Sequence, residues 1–350
     1  MCSKRFFNKL GFFIACYFIS CCLFGDKFIV NQLHAQTTVG NAAYQFLKLP
    51  STAKASSLGG LNISSIGDDL GLAMTQPALL TTTMDQIIQV SVKPYFAGIQ
   101  QYDLNGANKL KSNWIIGWGV HYMDYGSIEQ TDMLGNSFGM TSPNEYAIQV
   151  GVAKTYQEHF HFGTQIKFIQ SNYGAYKSSG LAMDVGVRYL APNGLSQWSI
   201  LLQHVGTQIN YFQAKEELPL NLILGWSKRL ENAPLQFSIT AERLSVWNDN
   251  YYDLDFYNQE GYSQPGSMQN VFNHLILGTQ FYVGQNFEFD LGYHFSRRFE
   301  LNVPNQPNGL NGLSAGFGFP YKRIQFQYGT GFFQRNTYHH FTIQYALRQK

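Results

Sequence analysis

The sequence predicts an all-β protein: a transmembrane antiparallel β-barrel of about fourteen strands, preceded by an N-terminal hatch segment. Three observations predict it. From about Gln86 onward, apolar and polar residues alternate with a period of two, in segments of roughly ten residues. Aromatic residues make up 16% of the chain and charged residues 13%, where soluble domains average about 25% charged. Mean hydropathy is nonetheless slightly negative, at −0.19, and beyond the leader no charge-free apolar run is long enough for a membrane helix. A barrel reconciles these facts, because only alternate side chains of its strands meet lipid.

Residues 1–35 read as a signal peptide. Lys4, Arg5 and Lys9 form a basic start, the apolar run Leu10 to Phe24 follows, and cleavage is expected after Ala35. A lipoprotein cut at Cys21 or Cys22 is the alternative, although Phe18-Ile19-Ser20 matches its usual approach poorly. All four cysteines lie in this leader, so the mature chain has no disulfide, cysteine nucleophile or zinc-thiolate site. Removing residues 1–35 takes the formal charge from +2 to −1 by deleting Lys4, Arg5, Lys9, Lys27 and Asp26. That leaves no basic patch for nucleic acid.

Residues 36–85 lack the alternation and read as a hatch or plug; residues 86–350 read as the barrel. Its segments fall near 86–96, 111–123, 124–132, 144–155, 159–170, 179–190, 196–205, 219–230, 234–244, 271–283, 286–296, 312–320, 322–333 and 337–347. The third is the least regular. Asn286 to Ser296 is the clearest: Phe287, Phe289, Leu291, Tyr293 and Phe295 share one face, and Glu288, Asp290, Gly292, His294 and Ser296 the other. Phe160, Phe162, Ile166 and Phe168 oppose His159, His161, Gln165 and Lys167 in the same way, as Leu181, Met183, Val185, Val187 and Tyr189 oppose Asp184, Gly186 and Arg188. The last two segments set Ile324, Phe326 and Tyr328, then Phe341, Ile343, Tyr345 and Leu347, on one side. A soluble sandwich alternates too. The aromatic faces, with Trp114, Trp118, Trp198 and Trp226, and the charges within strands favour a lipid-facing barrel.

Short connections at Gln157-Glu158, Gly284-Gln285 and around Ala233 suit tight hairpins. Long ones at Met133–Asn144, Leu244–Asn270 and Phe299–Asn311 are the candidate partner-binding loops. No catalytic, cofactor or metal residues are expected. His159 and His161 share a face at metal-like spacing, but without a third ligand they read as inward polar groups. His339 and His340 point to opposite faces. Asp249, Asp253 and Asp255 lie in a loop whose spacing lacks the glycine and final glutamate of a calcium loop. Arg297, Arg298 and Glu300 are expected to pair with lumen acids such as Asp290, binding of an anionic group being the alternative. Gly117/Gly119 and Gly316/Gly318 are expected to bend strands or make room for neighbouring aromatics.

Several stretches resemble a known family. They are Ala43-Tyr44-Gln45-Phe46-Leu47-Lys48-Leu49-Pro50, Ala53, Ala55, Leu58-Gly59-Gly60, Asp68-Asp69 and Pro77-Ala78-Leu79-Leu80. Gly180-Leu181-Ala182-Met183-Asp184-Val185-Gly186, Gly292-Tyr293-His294 through Arg297-Arg298-Phe299-Glu300-Leu301, and Gly312-Leu313-Ser314-Ala315-Gly316-Phe317-Gly318 follow in order. Together they resemble the PorV/PorQ family of outer-membrane components of the type IX secretion system, over residues 40 to the last strand. One departure is Gln76, where the family has Asn before Pro-Ala-Leu-Leu; a Gln would cap a hatch helix less well.

The resemblance implies a FadL-like barrel of fourteen strands with an N-terminal hatch. It implies a non-catalytic role, anchoring a PorZ-like surface protein and, through it, PorU and PorV of the complex that attaches cargo to anionic lipopolysaccharide. Outer-membrane lipid is the other expected partner, and the outer membrane the expected location. The rivals are a FadL-like channel for hydrophobic small molecules, which needs an apolar lumen pocket, and a lipid hydrolase, which needs a Ser–His pair that no spacing marks.

Overall fold

A computed structural model describes residues 42–110, 113–132, 134–246, 267–284, 287–301, 308–333 and 336–347. The expected signal peptide and the Asp249, Asp253 and Asp255 group lie outside the described residues. The strands are β1 (Ile87–Pro94), β2 (Gln100–Lys109), β3 (Trp114–Asp124), β4 (Ile128–Thr131), β5 (Ser137–Thr141), β6 (Asn144–Tyr156), β7 (Phe160–Tyr173) and β8 (Tyr176–Leu190). Then come β9 (Ser196–Asn210), β10 (Asn221–Arg229), β11 (Leu235–Ala241), β12 (Leu275–Val283), β13 (Phe287–His294), β14 (Leu313–Tyr321), β15 (Ile324–Phe333) and β16 (Asn336–Ala346). Fourteen of them, all but β4 and β5, form one closed antiparallel barrel. β1 closes it against β16, with Ile88 opposite Tyr345 and Val92 opposite Phe341. Closure pairs the edge strands that an open sheet would expose.

The count of fourteen agrees with the sequence, but its members do not. Segment 124–132 is not in the wall: β4 pairs with β5 as a separate hairpin. The missing wall strand is β2, which the sequence hides among loop-like residues. Its outward positions carry Tyr102 and Leu104 and then Gly106, over which the Trp118 indole lies. The neighbouring strand supplies the lipid-facing surface there, so β2 itself carries little apolar signal. The second correction is at β13, which ends at His294. Phe295 and Ser296 belong to a short helix, Phe295–Glu300.

Alternation otherwise translates directly into facing. In β7, Phe162, Ile166 and Phe168 are exposed while His161, Gln165 and Lys167 are buried. One rim of the barrel has tight turns. Gln157 and Glu158 adopt φ of 49° and 62° in the three-residue turn between Tyr156 and Phe160, the left-handed region that tight hairpins use. The other rim carries the long connections, so the described parts of all three candidate loops lie together on it.

Residues 42–85 fill the space that the inward faces enclose. The segment holds two short helices, α1 (Ala53–Ser57) and α2 (Leu70–Thr75), and 3-10 turns at Gln45–Lys48, Pro77–Leu79 and Thr82–Met84. Thr52 caps α1 by accepting from the Ala55 amide at 3.2 Å, and Asp69 caps α2 by accepting from Leu72 at 2.9 Å. Leu70, Leu72, Met74, Leu80 and Met84 pack with Ile87, Ala107, Ile115 and Ala153 of the wall. Two further apolar patches seat the segment, Phe46 against Met123, Ala147 and Ile169, and Ile63 against Leu201 and Ile223, on an inner surface that is elsewhere mostly polar.

Glycines shape the rest of the seat. A Cβ on Gly163 would collide with the Pro77 and Ala78 backbone, one on Gly329 with Ala53, and one on Gly292 with Gly59. Gly117 faces Met74 and Leu80, and Gly316 faces Ser57. At Gly117 and Gly316 the room is therefore made for the N-terminal segment rather than for strand aromatics.

Among the described residues, no helix is long and apolar enough to cross a membrane.

Candidate functional site

The candidate site is the seam between the N-terminal segment and the inner wall, with a cavity at its long-loop end. Polar groups on the segment are matched one by one to inward residues of the strands. The Lys54 ammonium meets the Glu288 carboxylate at 2.7 Å. Ser57 Oγ donates to Asp290 at 2.8 Å, and Ser56 Oγ lies 2.9 Å from His340 Nδ1. Asp69 Oδ2 accepts from Gln327 at 2.7 Å, and Asn62 donates to Ser238 at 2.9 Å. Burial opposes the Lys54 charge, but the carboxylates of Glu288, Asp290 and Asp69 outweigh it and hold Lys54 above the ordinary lysine range.

Gln76, the departure from the family pattern, works as one of these ties. Its Oε1 is a long 3.4 Å from the Ala78 amide, so it caps weakly. Its Nε2 donates to Ser199 Oγ at 2.8 Å and to the Ile200 carbonyl at 3.0 Å. The longer side chain reaches the wall, where Gly186 leaves space for it.

The cavity measures about 410 Å³. Leu47, Leu49, Leu61, Met74 and Phe333 give it apolar surface, while Arg243, Arg297, Glu242 and Glu300 bring charge. Ser245, Val246, Glu300 and Leu301 place two of the three candidate loops on its lining; Met133–Asn144 contributes none of the lining residues. Most of the charges are matched. His121 Nδ1 lies 2.5 Å from Asp103, Lys167 2.7 Å from Asp184, and Arg243 Nη1 3.5 Å from Glu300. Glu242 sits 3.3 Å from His294 Nε2. Burial pushes the Glu242 carboxyl up, but the His294 hydrogen bond and charge, with Arg243 and Arg297, pull it down to about 2.

The expected pairing of Arg297, Arg298 and Glu300 with Asp290 does not occur. Asp290 is taken by Ser57. Arg297 lies over the Phe333 ring at 5.4 Å, Arg298 donates to the Asn308 carbonyl at 2.5 Å, and Glu300 takes Arg243 and Ser296. The short helix after β13 swings these side chains to the rim, away from the mid-strand acid. His161 hydrogen-bonds Thr155 at 3.0 Å, whereas His159 lies edge-on to Tyr189. His339 and His340 do face opposite sides, with Tyr328 and Ser56 as their partners. Sequence reasoning missed Lys54, Ser56 and Ser57 as wall contacts, because a five-residue helix carries no periodic signal that says what it faces.

No family model and no curated protein matches this chain. Solved structures do. The CymD monoaromatic hydrocarbon channel superposes with a TM-score of 0.51 at 14% identity, covering 86% of this chain and 99% of that one. A Pseudomonas aeruginosa FadL homologue gives 0.52 at 10% identity, covering 85% and 98%. A TodX monoaromatic hydrocarbon channel mutant gives 0.50 at 13%, covering 85% and 97%. The fold is that of the FadL-type barrels. Two of these structures are named as channels, and at such identities the likeness concerns fold alone.

Proposed function

We propose that this chain is a closed, non-catalytic outer-membrane barrel that anchors a PorZ-like surface protein, the role implied by its resemblance to the PorV/PorQ family. Through that protein it would serve PorU and PorV of the type IX attachment complex. The observation that carries the reading is the matched seam. Withdrawing residues 42–85 would leave Glu288 and Asp290 in the wall without Lys54 and Ser57, a costly state for buried acids. A fixed plug suits a scaffold that offers its rim loops to a partner. The test is co-purification from detergent extracts of native membranes. The PorZ-like protein should be retained with the barrel and released from cells on its deletion; unchanged surface retention after deletion would refute the anchor.

The comparisons lend more support to a second reading, a FadL-like channel for hydrophobic small molecules, since two of the similar barrels are named as monoaromatic hydrocarbon channels. The cavity of about 410 Å³ with its leucines and Phe333 also favours it, being within the size range of small-molecule sites. Against it stand the charges around that cavity and an inner wall that is mostly polar. Uptake of a labelled monoaromatic compound by intact cells, lost on deletion, would establish the channel and displace the anchor.

A further inference from the structure

A second cavity, of about 300 Å³, lies at the long-loop rim apart from the seam ties described above. It is lined by the rings of Tyr125, Tyr173, Tyr176 and Phe212 and by the carboxylates of Glu145 and Glu216, with Tyr44 of the N-terminal segment beside them. These residues stand at the rim-side ends of β6, β7 and β8, in the turn after β3 and in the connection after β9. Tyr176 and Phe212 meet nearly at right angles, with centroids 4.2 Å apart, and Tyr125 and Tyr173 lie 5.6 Å apart.

Glu145 is 4% exposed and receives two hydroxyl donors, Tyr125 Oη and Ser171 Oγ. No ion pair joins it to a cation among the described residues. Lys177 is the one cation among the lining residues, against two carboxylates, so the pocket carries net negative charge. Its wall amide, Gln208, already accepts from the Glu216 backbone at 2.7 Å. Several aromatic rings around an uncompensated carboxylate favour one ligand class. Ring faces attract a cation through their quadrupole, and more strongly where the site is partly desolvated. We propose that this pocket binds an organic ammonium group, held by Glu145 and enclosed by Tyr125, Tyr173, Tyr176 and Phe212.

The ammonium has two sources: a free quaternary amine, or the primary amine of a lysine presented by a protein. Titration calorimetry on the full barrel in detergent separates them, using choline for the first and N-acetyl-lysine methylamide for the second. One of the two should bind saturably, and the stronger one names the source. The Glu145→Gln and Tyr176→Ala variants should each weaken that binding by about tenfold. The uncharged carbon isostere of choline, dimethylbutanol, should not bind. Tyr176 is 53% exposed, so its variant keeps the test sound if replacing the buried Glu145 impairs folding. Absence of saturable binding by both cations, equal binding of the isostere, or unchanged affinity in a folded variant would each overturn the proposal.

Discussion

The two faces of one strand follow different rules. Along β7, the outward residues Phe162, Ile166 and Phe168 need only be apolar, because their neighbour is a solvent of hydrocarbon chains. The inward residues face a particular segment of the same chain. Gly163 receives the Pro77–Ala78 backbone, while Lys167 reaches sideways to Asp184 of β8. Elsewhere on the inner wall Glu288 holds Lys54 and Gln327 holds Asp69. Substitution on the outer face changes an average environment. Substitution on the inner face changes a unique contact.

That contrast can be broken or sharpened experimentally. The largest effect is expected from Gly163→Leu, since the added side chain takes the place of the Pro77 and Ala78 backbone. The segment should be dislodged and ion conductance should appear in planar bilayers where the native barrel is closed; the adjacent outward swap Phe162→Leu should leave conductance unchanged. Next, Lys54→Ala strips the ion-pair partner from Glu288 and should destabilise the folded barrel by about 3–5 kcal/mol in denaturant titration. On the outer face a charge should matter as much as its loss does inside: Ile166→Arg, at a 59% exposed position in β7, should cost about 2–4 kcal/mol in lipid vesicles.

The smallest effect concerns the rim contact of Glu242 with His294. The Glu242 carboxyl is held at about 2, below its ordinary 4.5. A depressed carboxyl contributes stability above its unfolded value and loses it as pH falls toward the folded one. The contribution, about 1–3 kcal/mol, is therefore present above pH ~4.5 and fades toward pH ~2. Glu242→Gln should flatten that acid limb of the stability profile; an unchanged limb would assign it to other carboxylates.

How far the sequence carried the fold depended on which face was being read. β7, β8 and β16 were legible because their outward residues repeat every second position with large apolar side chains. β2 was not, because Trp118 of β3 covers its Gly106 and the apolar signal sits on the wrong strand. β4 was mistaken for wall although Ile128-Glu129-Gln130-Thr131 barely alternates; it is an extended strand, but one that pairs with β5 in a rim hairpin. The two errors cancelled in the strand number. At the candidate site, two of the three long loops contribute lining residues, Ser245, Val246, Glu300 and Leu301, and Met133–Asn144 contributes none. The glycine seat at Gly163, Gly292 and Gly329 had no sequence signal, and Lys54 carried no sign of its partner at Glu288, 234 positions later by sequence number.

The alternation of side chains and the scarcity of charge determined, from sequence alone, that this chain makes an aromatic-faced barrel, because a strand's facing is a local property of its backbone. Tertiary structure decided the pairing of the inner wall with residues 42–85, the move of Arg297 and Arg298 to the rim, and the assembly of Glu145 with four rings from separate strands and loops. Those contacts join residues far apart in the chain, and their partners are chosen by closure of the barrel rather than by any pattern within one strand.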